Sequence, residues 1–266
     1  MMEPLPIPAP GREAHLWIAS LSGFHEPDLE AAARLQLSDS EWRRVQRLAL
    51  PASRNLGRLS RLLLRHVLSQ YNGVAPGQWR FVEARGGKPM LAQSTLPLEF
   101  NLSHSGDCVA LGVSHRGHPI GVDIEIQRRR PFLRLARRYF ADSEVADLEH
   151  LPSESSTARF YQYWTLKEAW VKAQGRGLWT ALDSVYFHFD KNGRLWPMEE
   201  PPLPGYQCWS LTVAPRRCLA VVLGAATNNA KLRLFCVGED FIPQPLHGIL
   251  QGASAELTLS GGLKGS

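Results

Sequence analysis

Two short runs constrain this chain more than anything else in it. The first, Gly121-Val122-Asp123-Ile124-Glu125, has the pattern of a strand. Residues two apart on a strand share a face, so Asp123 and Glu125 point together while Ile124 points into the core. The second, Tyr163-Trp164-Thr165-Leu166-Lys167-Glu168-Ala169-Trp170-Val171-Lys172, reads as a helix. Glu168 and Lys172 lie at i and i+4, on one face with Tyr161, Trp164 and Thr165. Three carboxylates from two elements suggest a hard-cation site, and a lysine beside them suggests phosphate. The pair of runs therefore points to chemistry on a phosphorylated substrate.

Taken singly, each run has a plainer reading. D-x-E is common on exposed strand faces, and a Glu/Lys pair at helical spacing is often a surface ion pair worth a few tenths of a kcal/mol. Adjacent carboxylates repel, which is tolerable when a cation or solvent absorbs the cost. Trp164 and Trp170 read as core residues rather than ligand-stacking ones.

The 266 residues suffice for one large domain or two small ones. No apolar run is long enough for a bilayer, and the Pro-rich start lacks a basic region followed by an apolar stretch, so neither membrane anchor nor signal peptide is expected. Cys108, Cys208, Cys218 and Cys236 are dispersed without a CxxC pair, which suits thiols in a reducing cytosol. The net charge of +5 is carried unevenly, with arginines grouped at 43–65 and 128–138. Such groups fit nucleic acid, an acidic protein, a phosphorylated small molecule, or simply a solvated basic face. No recognition helix, zinc-finger spacing or basic strand with interleaved aromatics supports nucleic acid.

Along the chain, a strand is expected at His15–Leu21. A capping box with Ser38 as N-cap and Glu41 three residues on starts a helix to about Leu50. Pro51 interrupts, and a second helix runs from about Ser53 to Tyr71. Strands follow near Trp79–Glu83, Leu98–Leu102, Cys108–Val113 and Ile120–Ile126. Short helices lie near Phe132–Tyr139 and Ser143–His150, and Pro152 to Ser156 reads as a polar loop. A long helix, Thr157–Gln174, ends at Gly175 as an αL cap. Further strands are expected near Val185–Asp190, Cys208–Val213 and Cys218–Leu223. This order favours α+β with two similar lobes, each a mostly antiparallel sheet with helices, although no repeat proves duplication. The expected division is 1–117 and 118–224, with 225–266 an extension of doubtful order ending in a disordered tail.

Asn101-Leu102-Ser103-His104-Ser105-Gly106 ends a strand with small donors and an imidazole, able to meet phosphate or simply to cap the turn. No Cys or Asp is placed to make His104 part of a nucleophilic triad. Gly86-Gly87-Lys88-Pro89 sets a lysine on a tight loop. In this order and spacing, Gly87-Lys88-Pro89, the Asn101–Ser105 run, the G-x-D-x-E strand and the W-x-x-K-E-A-x-x-K helix resemble one family, the 4′-phosphopantetheinyl transferases. The resemblance, from about Arg43 to Leu223, is to the larger monomeric type that activates carrier proteins of peptide and polyketide synthetases.

The resemblance implies two α+β lobes in pseudo-twofold arrangement, clasping coenzyme A between them in a cytoplasmic enzyme. By similarity, Asp123, Glu125 and Glu168 would hold Mg²⁺, consistent with its preference for oxygen ligands. Lys88 and Lys172 would contact phosphates, Ser103 and His104 the 3′-phosphate region, and Arg65, with Arg61, the nucleotide. Gly175-Arg176-Gly177-Leu178 matches the family's G-K-G-L turn, with Arg for Lys. A carrier-protein serine would attack the β-phosphate and release adenosine 3′,5′-bisphosphate. The serine proton would go to Glu168, directly or through water, or to Glu144, whose segment resembles the family's R-F-F-x-x-x-E. Acidic carrier proteins would suit the arginines of 128–138. A degenerate binding module that holds coenzyme A without transfer is the competing class.

Overall fold

The computed structural model describes residues 4–83, 89–92, 96–128, 131–175, 182, 185–190, 195–196, 205–213, 216–227, 229–245 and 254–257. The first half runs β1 (Glu13–Ser20), α1 (Glu26–Gln36), α2 (Asp39–Gln46), α3 (Pro51–Gln70), β2 (Phe81–Glu83), β3 (Pro89–Leu91), β4 (Leu98–Ser105) and β5 (Cys108–His115). Then come β6 (Ile120–Ile126), α4 (Phe132–Tyr139), α5 (Asp142–His150), α6 (Ser153–Gln174), β7 (His188–Phe189), β8 (Leu195–Trp196), β9 (Tyr206–Val213) and β10 (Arg217–Gly224). The last elements are β11 (Lys231–Val237), β12 (Pro243–Pro245) and β13 (Ser254–Leu257).

Local chemistry explains the main helices. Ser38 accepts the Glu41 N–H and Glu41 returns a carboxylate to the Ser38 N–H, so α2 opens on the expected capping box. Pro51 does not merely interrupt. It is the first residue of α3, where its missing N–H costs nothing and its φ is already helical. The expected loop after Pro152 is instead the first turn of α6, which ends as expected on Gly175 at φ +66°. Helix α1 has no counterpart in the sequence reading.

The α+β expectation holds. The larger sheet has the order β12-β11-β1-β5-β4 and the second β13-β9-β10-β6, with β2-β3 and β7-β8 as separate two-stranded ribbons. Each lobe repeats one plan, with a long helix across its outer face. Leu59, Leu62, Leu63 and Val67 of α3 pack on Trp17, Val109, Leu111 and Val113. Phe160, Leu166, Ala169 and Ala173 of α6 pack on Cys218, Ala220 and Val222. Between the sheets, Leu16, Ile18 and Ala110 meet Val122, Ile124, Trp209, Leu219 and Val221. The chain is thus layered helix, sheet, sheet, helix. Strands covered on both faces read as continuous apolar runs, as β1 and β10 do. Each fully buried aliphatic side chain contributes about 1.5–3 kcal/mol.

The expectation that order fades from Ala225 fails for β11. That strand pairs in parallel with β1 from Glu13↔Lys231 to Ala19↔Val237, and Phe235 and Val237 join the α3 core. It belongs to the first lobe. The four cysteines are free thiols, and burial raises each, Cys108, Cys218 and Cys236 to about 11 and Cys208 to about 12. None has the low thiol pKa of a nucleophile.

Candidate active site

Strands β4 and β6 are the edges of their sheets, and they lie side by side without sharing a backbone ladder. Side chains two apart on β4 bridge them instead. Asn101 Oδ1 accepts the Val122 N–H at 2.9 Å, Ser103 Oγ donates to Asp123 Oδ1 at 2.9 Å, and Ser105 Oγ donates to Glu125 Oε2 at 2.7 Å. The period-2 geometry of both strands makes this polar seam, with Val122 and Ile124 turned to the inter-sheet core.

On the other face of β6 lies α6. A Cβ on Gly121 would sit 1.8 Å from Ala169 O and 2.6 Å from Ala173 N, so only glycine lets the helix seat this closely. That approach sets Glu168 and Lys172 over Asp123. Lys172 Nζ donates to Asp123 Oδ1 at 2.7 Å, and to Ser103 Oγ and Val122 O at 3.1 Å each.

The electrostatics follow from that convergence. Burial raises Glu168 above its ordinary 4.5, the Asp123 and Glu125 charges raise it further, and Lys172 opposes them. Asp123, only 5% exposed, is also raised by burial against the pull of Lys172 and the Ser103 hydroxyl. Its Oδ2 is buried without a hydrogen-bond partner. Among the described residues, no three His, Cys, Asp or Glu side chains already close on a cation position. Lys172 occupies Asp123 instead. The donor set is nevertheless all carboxylate oxygen, with one orphaned buried oxygen among it, and this fits a hard divalent cation such as Mg²⁺.

The other predicted residues divide. His104 is near enough for Lys172 and Arg61 to lower its pKa, after the larger effect of desolvation. Arg61 is half-buried beside Glu41, Arg44 and Arg65. Arg65 is committed elsewhere. It is 1% exposed, donates to Pro76 O and Trp79 O at 3.0 Å each, and pairs with Glu41, so it ties α3 to the capping box of α2. Glu144 is likewise engaged away from the cleft. Its Oε2 pairs with the fully buried Lys167 at 2.7 Å and accepts the Ala141 N–H at 2.9 Å, while Oε1 accepts the Phe187 N–H at 2.9 Å. Lys88 and the Arg176-Gly177-Leu178 turn lie outside the described residues.

Sequence reasoning read Asn101 and Ser105 only as part of a donor-rich turn able to meet phosphate, not as partners of β6, and Arg44 only as one of a basic group. The N-x-S-x-S spacing signals a polar strand face, but its partner strand is visible only in three dimensions.

Comparison with known proteins decides the family. Residues 119–221 match the family model described as the 4′-phosphopantetheinyl transferase superfamily, and residues 25–116 match 4′-phosphopantetheinyl transferase, N-terminal. The chain belongs to the 4′-phosphopantetheinyl transferase superfamily. The phosphopantetheinyl transferase HetI of Nostoc sp. is 35% identical over 215 residues, covering 79% of this chain and 86% of its own length. The transferase psf-1 of Bacillus pumilus is 35% identical over 191 residues, covering 70% of this chain and 78% of its own. The slr0495 protein of Synechocystis sp. is 39% identical over 151 residues, which span 56% of this chain and 61% of that relative. The superfamily match contains β6 and α6 whole, and hence Asp123, Glu125, Glu168 and Lys172.

Proposed function

We propose that this chain transfers the 4′-phosphopantetheine arm of coenzyme A to a serine hydroxyl of an apo carrier protein, releasing adenosine 3′,5′-bisphosphate. The observation that carries the reading is the convergence of Asp123, Glu168 and Lys172 on one side of β6, in a chain of this superfamily.

Asp123, Glu125 and Glu168 would hold Mg²⁺, which supplies neutralising charge at the pyrophosphate when bound. Lys172 offers a fixed positive charge beside them and moves from Asp123 to the phosphate oxygens that gather charge. Glu168, raised by burial and by its carboxylate neighbours, takes the serine proton as the new O–P bond forms. The bond from the β-phosphorus to the bridging oxygen breaks, and that oxygen leaves with its electron pair on the bisphosphate. Arg61 and Arg44 continue the positive field from Lys172 toward α3 and α2, where the nucleotide half of coenzyme A would lie. His104, kept neutral by burial and by Lys172, offers a hydrogen bond there rather than a charge. Lys88 joins the phosphate contacts. In this reading Arg65 holds the platform rather than the ligand, and Glu168 is preferred to Glu144 as the base because both Glu144 oxygens already have partners.

Both lobes contribute to one site, so the chain works as a monomer, in the cytosol where coenzyme A and carriers meet. No described helix is long and apolar enough to cross a membrane. The test is to incubate the protein with coenzyme A, Mg²⁺ and an apo carrier, then weigh the carrier by mass spectrometry. One phosphopantetheine arm gained, and lost on chelation, is expected. Coenzyme A binding without transfer to any of several carrier classes would overturn the reading in favour of a binding module.

A further inference from the structure

We infer that Ser105 is a positioning residue for the cation-holding carboxylates, reaching from the first lobe to fix Glu125 in the second; the inference rests on the cation role proposed for Glu125. The Ser105 hydroxyl accepts the Ile126 N–H at 3.3 Å, which directs its own proton to Glu125 Oε2 at 2.7 Å. One hydroxyl thus reads both the backbone and the side chain of β6, and sets the height and the tilt of the carboxylate together.

The neighbouring turn is built to bring Ser105 this close. Gly106, at φ +63°, has no Cβ, and a Cβ there would lie 2.0 Å from Ile126 Cδ1. Asp107 anchors the same turn from both lobes, accepting from Ser20 Oγ of β1 at 2.8 Å and from Arg217 of β10 at 2.6 Å. Ser103 makes the matching bond to Asp123 two residues earlier. Lys172 shares Ser103 but has no bond to Ser105, so Ser105 acts on the carboxylates and not on the lysine.

Hydrogen-bonding partners of metal-ligating groups orient them, and removing one weakens metal affinity by about 10–100-fold. Mn²⁺ is the probe: its free signal is followed by electron paramagnetic resonance as the full chain is titrated with saturating coenzyme A. Ser105→Ala is expected to raise the Mn²⁺ dissociation constant about 10–100-fold with only a small fall in melting temperature from the two lost hydrogen bonds. Ser105→Thr, which keeps the hydroxyl, is expected to restore it. Wild-type Mn²⁺ affinity in Ser105→Ala overturns the positioning role while leaving the cation site intact. Equal affinity in the wild type and Glu125→Gln instead removes the cation role of Glu125, and this inference with it. If the alanine variant does not fold, Ser105→Cys, close in size with a weaker donor, replaces it: weakened binding supports the role and unchanged binding overturns it.

Discussion

Lys172 Nζ lies 2.7 Å from Asp123 Oδ1 and stands where a cation would neutralise that buried carboxylate. Under the proposed cation role the lysine stands in for the cation on Oδ1, while Oδ2 is left without a hydrogen-bond partner. Breaking a fully buried pair by removing one partner costs about 3–5 kcal/mol, and with Lys172 28% exposed the cost here is expected below that range. Lys172→Met is expected to lose stability on that smaller scale without metal, and to recover much of it when Mn²⁺ is added. Urea unfolding with and without Mn²⁺ measures both; equal losses in the two conditions would refute the stand-in role.

Gly121 has no room for a methyl group, and the atoms it would strike are backbone atoms of α6. Gly121→Ala must push the helix off the strand that carries Asp123. Its cost is expected at or above the usual overpacking range of about 1–3 kcal/mol. Transfer activity should fall further than stability alone explains, as read by unfolding and by turnover of the fraction still folded.

Glu144 and Glu168 make opposite predictions. Glu144→Gln unpairs the fully buried Lys167, which also donates to Leu182 O at 2.8 Å and Val185 O at 2.5 Å. It should lose about 3–5 kcal/mol of stability while the pH profile of turnover stays put. Glu168→Gln should keep the fold and lose about 10²–10⁴-fold in rate. A shifted pH profile in Glu144→Gln would return that residue to the chemistry.

Outside the cleft, His66 stacks on Phe241 at 4.1 Å between ring centres, and its Nε2 meets Gln36 Oε1 at 2.9 Å. Burial lowers it from 6.5 to about 4. The unfolded chain therefore takes up a proton below pH 6.5 that the folded chain refuses until about pH 4, so stability falls with pH across that window. The loss should reach up to about 3 kcal/mol at the acid end. Stability measured from pH 7 to 4 should decline less steeply in His66→Gln.

The arginines of α4 were expected to face acidic carriers. Arg137 is already paired with Glu149 at 2.8 Å, and Arg138 lies over the Tyr139 ring at 5.2 Å. Arg134 is the better test. Arg134→Glu is expected to raise the KM for an acidic carrier several-fold at low salt, and the difference should shrink as ionic strength rises. An unchanged KM at low salt would remove α4 from the docking surface.

What could be read in advance was whatever repeats locally. The D-x-E strand, the Glu168–Lys172 helix face and the Ser38–Glu41 cap each state their geometry in adjacent residues. Helix α1 was missed although Pro27 and the acidic Glu26 and Asp28 mark its first turn; His25 gives it no side-chain cap, and only Leu29 and Ala33 are buried, so its apolar face is short. Arg65 was expected, by resemblance, at the nucleotide, since nothing nearby announces that Glu41 and two loop carbonyls claim it. Glu144 matched a motif, and nothing beside it in the sequence announces its pairing with Lys167 on another helix. Strand β11 hid for a related reason: its partner is β1, at the opposite end of the chain.

That last pairing has a consequence for biosynthesis. A nascent chain emerging from a ribosome offers β1 early, but its parallel neighbour only after both lobes have been made. Until then one flank of β1 stays open, an edge of the kind that invites mispairing and aggregation. The first lobe cannot mature ahead of the second. The first sheet can close only once residue 237 has been made.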